Sequence, residues 1–359
     1  MVFAPQPMVN SYSPTLNFSE NENMNTQQPK LLLTTSPFLK PRQDTRFIMW
    51  QVNLALLPVA LAAIYYFGVS AILIIVACVA GALLPEWLHS RFQSAAISPL
   101  KDGTALITGL LLALTLPPSI PLWMAFLGGV SAIGIGKLLF GGIGYNAFNP
   151  ALVGRAILQA AFPQAMTTWA PHTDLNGFSV LRGDLFALPF AQRSVDAVTE
   201  ATPLAKMKFD AMITALPDLL RGSTAGSLGE TSALIILLAG VYLASRRILS
   251  WRIPVSILAT VFVLAGVTYW LAPDTQPQPL FHLFSGGLML GAVFMATDPV
   301  TSPITQRGCV IFGIGIGVIV MVIRLFGGLP EGVMYSILIM NAMTPLIDRV
   351  AQPRIYGTE

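Results

Sequence analysis

Few side chains in this sequence could do chemistry, and most of them lie where water is scarce. Arg155 and Arg324 sit inside or at the end of apolar runs, Asn146 and Asn149 precede the first of them, and Thr297-Asp298-Pro299 closes another. An arginine at the centre of a bilayer costs ~2.5–3.5 kcal/mol on insertion scales, so each must find a partner or reach the interface. For Arg155, close after Asn146 and Asn149, the options are a cavity, an anion or cofactor held there, or snorkelling outward. For Arg324, at the end of its run, snorkelling is the expectation. Thr297 and Asp298 have the donor types of a cation-handling pair, and an Asp before Pro equally reads as a cap or turn. In a polar stretch, Asp196-Ala-Val-Thr199-Glu200-Ala201-Thr202-Pro203-Leu204 sets a hydroxyl between a small residue and a turn-favouring proline. His89, His172 and His282 are too dispersed for a metal site. Cys78 and Cys309 each lie in an apolar run without a Cys-x-x-Cys pair, which argues against an iron–sulfur or zinc centre built by this chain alone.

These residues are embedded in a chain that composition places in lipid. Of 359 residues, 20 are basic and 17 acidic, together 10%, against roughly 25% in soluble proteins. Hydrophobic residues make up 54%, and mean hydropathy is +0.68. A soluble fold of this length could not cover its surface with so few charges. The net charge of +3 is scattered rather than clustered with aromatics, so a nucleic-acid partner is excluded. Residues 1–30, rich in Asn, Gln, Ser and Pro, are expected to form a disordered extension with no signal-peptide core, and Met24 is an alternative start.

Ten apolar segments follow, near the ~20 residues that cross a hydrocarbon layer: 47–66, 70–88, 104–117, 120–140, 148–165, 232–246, 254–272, 280–297, 309–326 and 332–348. The expected fold is an all-α polytopic membrane protein of about ten transmembrane helices. Its parts are a cytoplasmic N-terminal segment (1–46), a first five-helix set (47–165), a polar outer domain (166–231), a second five-helix set (232–349) and a cytoplasmic tail (350–359). With the N-terminus in the cytoplasm, 13 of the 20 Lys and Arg residues fall on that face and none in the four short loops opposite, as the positive-inside bias requires. The outer domain holds 12 of the charged residues and lies on the periplasmic side.

The two sets also repeat. Gly109, Thr115 and Pro117 have the spacing of Gly291, Thr297 and Pro299; Lys137-Leu-Leu-Phe-Gly-Gly and Asn146-Ala-Phe-Asn-Pro150 are answered by Arg324-Leu-Phe-Gly-Gly and Asn341-Ala-Met-Thr-Pro345. Sets with an odd number of spans are related by inversion, an architecture whose sites lie near the midplane at interrupted helices. Segments three and eight, with Pro117-Pro118 and Ser285-Gly286-Gly287, are the expected interruptions. They read either as half-helices lining a pathway or as tight small-residue packing.

The Asp196 to Thr202 stretch resembles the Asp-x-x-(Ser/Thr)-x-Ala-Thr signature at which a flavin transferase joins FMN through its phosphate to the last threonine. The chain around it, from Ser36-Pro37-Phe38 to Arg354-Ile-Tyr-Gly357, resembles the D subunits of Rnf (Rsx) electron-transport complexes and, more distantly, the B subunit of the sodium-pumping NADH:quinone oxidoreductase. Phe140-Gly-Gly-Ile-Gly-Tyr-Asn-Ala-Phe-Asn-Pro-Ala-Leu-Val-Gly-Arg155 and Ser285-Gly-Gly-Leu-Met-Leu-Gly-Ala-Val-Phe-Met-Ala-Thr-Asp298-Pro299 carry the likeness most strongly. Glu200 stands where many such sites have Gly, which favours the D-subunit branch.

The resemblance implies a bacterial inner-membrane subunit of a complex coupling electron transfer between ferredoxin and NAD to Na+ or H+ movement. It implies FMN esterified to Thr202, an attachment motif in Asp196, Thr199 and Ala201, an accessible hydroxyl, and a second, noncovalent flavin such as riboflavin. Partners would be the other Rnf subunits (A, B, C, E and G), which carry the ferredoxin, NAD and iron–sulfur sites, a flavin transferase and membrane lipid. The rival reading is a small-solute channel or transporter of inverted-repeat type. A reporter fused near Gly222 is expected to be active only on the periplasmic side; cytoplasmic activity would reverse the orientation.

Overall fold

A computed structural model describes residues 44–92, 102–170, 178, 181–189, 200–230 and 232–352. The expected disordered extension, Asp196 and Thr199 lie outside them. Among the described residues every regular element is helical. The first set comprises α1 (Thr45–Phe67), α2 (Val69–Phe92), α3 (Thr104–Leu114), α4 (Leu122–Gly134), α5 (Pro150–Ala161) and the single turn α6 (Pro163–Met166). Then come α7 (Pro203–Asp210) and α8 (Leu216–Arg221), followed by α9 (Ala233–Ser245), α10 (Arg252–Leu271), α11 (Pro279–Phe284), α12 (Leu288–Leu290), α13 (Gln306–Phe326) and α14 (Val333–Val350). Each of the ten apolar segments thus carries helix. Five are long and apolar enough to cross a membrane: Thr45–Phe67, Val69–Phe92, Leu122–Phe140, Arg252–Leu271 and Gln306–Phe326, with Thr104–Leu114 and Ala233–Ser245 as shorter apolar helices. The chain is a multi-pass membrane protein.

Segments three and eight are the irregular ones. At 1.5 Å per residue the 11 residues of α3 span about half of a ~30 Å hydrocarbon layer. Segment eight is broken outright. The helix α11 stops at Phe284, Ser285 is extended, Gly286 takes φ +70°, and α12 restarts at Leu288 to run into a π-helical turn over Gly291–Met295. Position 286 needs a residue without Cβ, since left-handed backbone costs other side chains strain.

The heaviest packing in the first set is α2 against α4, and in the second α10 against α13; by sequence position these are equivalent pairs. Small residues let the backbones approach. A methyl group on Gly81 of α2 would collide with the Phe126 carbonyl oxygen, and one on Gly129 of α4 with that of Cys78. In the second set Gly313 and Gly317 of α13 admit Ser256 and Thr260 of α10. Between lipid-solvated helices such close packing supplies the association energy that the hydrophobic effect does not. The polar stretch is tied to the same bundle: Val69 N–H donates to Phe178 O (3.0 Å), Leu122 N–H to Leu185 O (2.9 Å), and Leu228 N–H to Leu116 O (3.1 Å). Gly81→Val should force α2 and α4 apart and lower stability by at least the 1–3 kcal/mol of an overpacked core, read as a drop in the thermal midpoint of the detergent-purified protein.

Candidate functional site

A broken helix in lipid leaves carbonyls at the end of one half and amides at the start of the next without partners, and no water is at hand to satisfy them. Arg324, on the last turn of α13, donates to His282 O (2.5 Å) and Ser285 O (3.0 Å), closing the carbonyl end of α11. The Glu331 carboxylate, in the turn between α13 and α14, accepts from Gly287 N–H and closes the amide end of α12. Arg324 is 2% exposed. The expectation that it snorkels is therefore wrong, because the exposed carbonyls of α11 offer the guanidinium partners inside the protein.

Arg155, on α5, points to the same place. Its guanidinium lies 3.8 Å from Glu331 Oε2, and Glu230, in the turn before α9, is coupled electrostatically to Arg155, Arg324 and Glu331. The result is a largely buried network of two guanidinium and two carboxyl groups around the break, with Arg324 at its most enclosed point. A buried charge is tolerated only when paired, and the two sets of helices supply one arginine each.

The α7 helix is docked onto this network. Thr202 is its N-cap: the side-chain oxygen accepts from Ala205 N–H (3.3 Å), and Pro203 occupies the first turn, where a missing N–H costs nothing. Leu204 packs on Gly286, where a methyl group would stand 2.7 Å from Leu204 Cδ1 and 2.8 Å from Glu331 Oε1. Lys208 Nζ donates to the carbonyls of Ile323 (3.4 Å), Arg324 (2.9 Å), Gly327 and Leu329 (3.3 Å), capping α13; burial pulls its pKa below the ordinary lysine value. Lys206 pairs with Glu200 (2.6 Å), and Ala201, preceding the cap, is exposed. Thr202 itself is 7% exposed, in contrast to the accessible hydroxyl expected of it, because capping turns its side chain onto the helix.

The remaining candidates gather elsewhere. Asn146, Asn149, Thr297 and Asp298 line a cavity of about 120 Å³, together with Lys137 and with apolar walls that include Ile107, Leu111, Leu243 and Phe294. Asn149 caps α5, accepting from Ala151 N–H (3.0 Å) and Leu152 N–H (3.3 Å), and donates to Met295 O (3.2 Å) beside the π-helical turn. Asp298 accepts from Val300 N–H (3.4 Å) and Thr301 Oγ1 (3.3 Å), a turn-capping arrangement, and Asn146 Nδ2 donates to Phe148 O (3.2 Å). Thr297 donates to Val293 O (2.5 Å). Arg155 does not join Asn146 and Asn149 here. At one wall Lys137 is paired with Glu86 (2.6 Å) and also donates to Thr104 Oγ1 (2.8 Å).

Sequence reasoning passed over Glu230, Glu331, Lys208 and Glu86. Glu331 had a signal: a lone acid in the Gly-Gly-Leu-Pro-Glu-Gly turn directly after an arginine that must be paired.

An apolar helical bundle, an interrupted span held by ion pairs and a polar segment clamped to the break together define a multi-pass integral membrane protein. The NQR2, RnfD, RnfE family matches residues 32–357, and the chain belongs to it. It is 44% identical over 340 residues to the D subunit of the ion-translocating oxidoreductase complex of Sodalis glossinidius, covering 90% of this chain and 98% of that one. Identity is 46% over 331 residues to the protein of the same name in Stutzerimonas stutzeri (88% and 93% covered). It is 39% over 336 residues to the D subunit of the proton-translocating ferredoxin:NAD(+) oxidoreductase complex of Clostridium ljungdahlii (91% and 96% covered).

Arg324→Met is expected to destabilise the fold by ~3–5 kcal/mol, since it strands two carbonyls and leaves the carboxylates underpaired. Arg324→Lys should recover part of that loss. Thermal unfolding of the detergent-purified variants reads both.

Proposed function

We propose that this chain is the D subunit of an ion-translocating oxidoreductase complex, coupling electron transfer between ferredoxin and NAD to Na+ or H+ movement, with FMN joined through its phosphate to Thr202. Family membership and the names of its relatives support the complex. The observation that carries the flavin assignment is the place of Thr202, at the N-terminus of α7, on a helix clamped to the interrupted span.

A phosphoryl group esterified to Thr202 Oγ fits that position. It would lie at the positive end of the α7 dipole, facing the N–H groups of Leu204 and Ala205 that the first turn leaves free of helical partners. When bound, the flavin supplies the redox chemistry. The chain's own residues do the rest: Thr202 tethers, and Leu204 and Lys208 hold the tethering helix against the bundle. The cavity beside Asn146 and Asn149 is the proposed room for the second, noncovalent flavin. The side chains at its rim are occupied by their own hydrogen bonds, so binding there would rest mainly on the apolar walls. Asp298 and Thr297, at the same cavity, are the proposed cation-handling pair.

We further read the two sets as inverted five-helix repeats, ten spans in all, with the α7 segment on the periplasmic side of a bacterial inner membrane. The equivalent packing of α2 with α4 and α10 with α13 supports this. So does the way Lys137 reaches Thr104 at the head of α3 while Arg324 reaches Ser285 just ahead of α12. Partner subunits would carry the ferredoxin, NAD and iron–sulfur sites. A solute channel loses its support once the relatives are oxidoreductase subunits.

Coexpressed with a flavin transferase, the purified chain should show ultraviolet-excited fluorescence at its band on a denaturing gel, and Thr202→Ala should abolish it. Fluorescence that survives Thr202→Ala would move the attachment elsewhere; a dark wild-type band would remove the covalent flavin.

A further inference from the structure

Glu230 and Glu331 arrive from different turns at one amide. Glu331 accepts from Gly287 N–H, and Glu230 Oε1 lies 3.7 Å from where a Cβ on Gly287 would stand. Glu331 Oε1 lies 2.9 Å from the same point, so the two carboxyl groups converge and repel when both are ionised. Two ionised carboxylates offer each other only acceptors and like charge, so their convergence favours taking up one proton on the pair. Burial, first, and the Glu331 charge, second, push the Glu230 carboxyl above its usual range, against the opposing pull of Arg155 and of a hydrogen bond from Ser227.

The groups facing the pair are Arg155 from α5, Arg324 from α13 and Ser227 from the turn that holds Glu230; Lys208 is engaged with the α13 carbonyls. Two further observations point to an exchangeable occupant. The Arg155 Nε is buried with no hydrogen-bond partner. A space of about 10 Å³ lies between Arg155, Ser227, Thr115, Gly287 and Glu331, about the size that holds one water.

We propose that Glu230 and Glu331 form a carboxyl pair holding one exchangeable proton, whose occupancy follows the electron occupancy of the flavin on Thr202. This rests on Thr202 being the attachment residue. Without the proton, two guanidinium and two carboxylate groups balance; with it, the cluster carries one net positive charge. One layer of side chain, Leu204 on Gly286, separates α7 from Glu331. An electron delivered to the ring by a one-electron carrier of the complex adds one negative charge there. The pair answers by forming one O–H bond with a proton taken from water. When the electron leaves, that bond breaks and the proton returns to water. Electron and proton are matched one to one, and no bond to the flavin is made or broken by the pair.

The test uses the purified complex, with flavin on the chain verified by gel fluorescence. The flavin midpoint potential is measured against pH in wild type, Glu331→Gln and Glu230→Gln, together with reduced-minus-oxidised infrared spectra in the carboxyl region. Glutamine at 331 still accepts from Gly287 N–H, so the break stays capped, and Glu230→Gln serves if that variant fails to assemble. Wild type should lose potential with rising pH by as much as an additional 59 mV per unit, the one-electron equivalent of tenfold, over the slope in the variants. It should also show a carboxyl band on reduction that either substitution removes. Equal slopes and an unchanged band in both variants overturn the pair's role. A complex whose Thr202→Ala variant is as fluorescent as wild type overturns the attachment on which it rests, a separate outcome.

Discussion

Backbone polar groups cannot be left unpaired in lipid, and the break at Ser285-Gly286-Gly287 would leave several. Everything near it is arranged around that need. Arg324 closes the carbonyl end of α11 and Glu331 the amide end of α12. Neither charge is tolerable alone in such surroundings, which brings in Arg155 and Glu230 from two other elements. The interruption therefore organises its neighbours: one missing stretch of helix recruits an ion network that links α5, α11, α12, α13 and the turns before α9 and α14.

The same network explains where the polar segment attaches. The carbonyls around the end of α13 are the other acceptors of this region, and Lys208 donates to those of Ile323, Arg324, Gly327 and Leu329. A helix that would otherwise be a short surface turn is held by a charge-assisted cap at one end and by Leu204 at the other. Too few residues are present in α7 for isolated stability, so its order comes from docking. Lys137 at Thr104 and Glu86 at Lys137 do comparable work for the first set, on the side of the cavity.

Much of this was legible in the sequence. The apolar segments mark helices because lipid-facing and core-facing surfaces are both apolar, and Ser285-Gly286-Gly287 announced the break because glycine and an extended serine cannot continue a helix. Asn149-Pro150 and Thr202-Pro203 carry cap-then-proline spelling, and both begin helices. What stayed hidden was pairing across the chain. Arg324 looked like a residue at the edge of lipid, since its partners, the carbonyls of residues 282 and 285, exist only once the broken span has been folded beside it. Glu230 and Glu331 are separated by a hundred residues and meet only at Gly287. Arg155 follows Asn149 by less than two turns, yet it faces the opposite cluster, because α5 directs its cap and its second turn to different neighbours.

The burial of Thr202 also bears on time. Thr202 is 7% exposed and its hydroxyl caps a docked helix, so it is poorly placed to be offered to another enzyme in the finished fold. Under the proposed attachment, the ester must form while α7 is still free of the bundle, before Lys208 has seized the end of α13. Maturation of the subunit then has a fixed order, modification first and closure second, and the closed helix shields its own linkage from later hydrolysis.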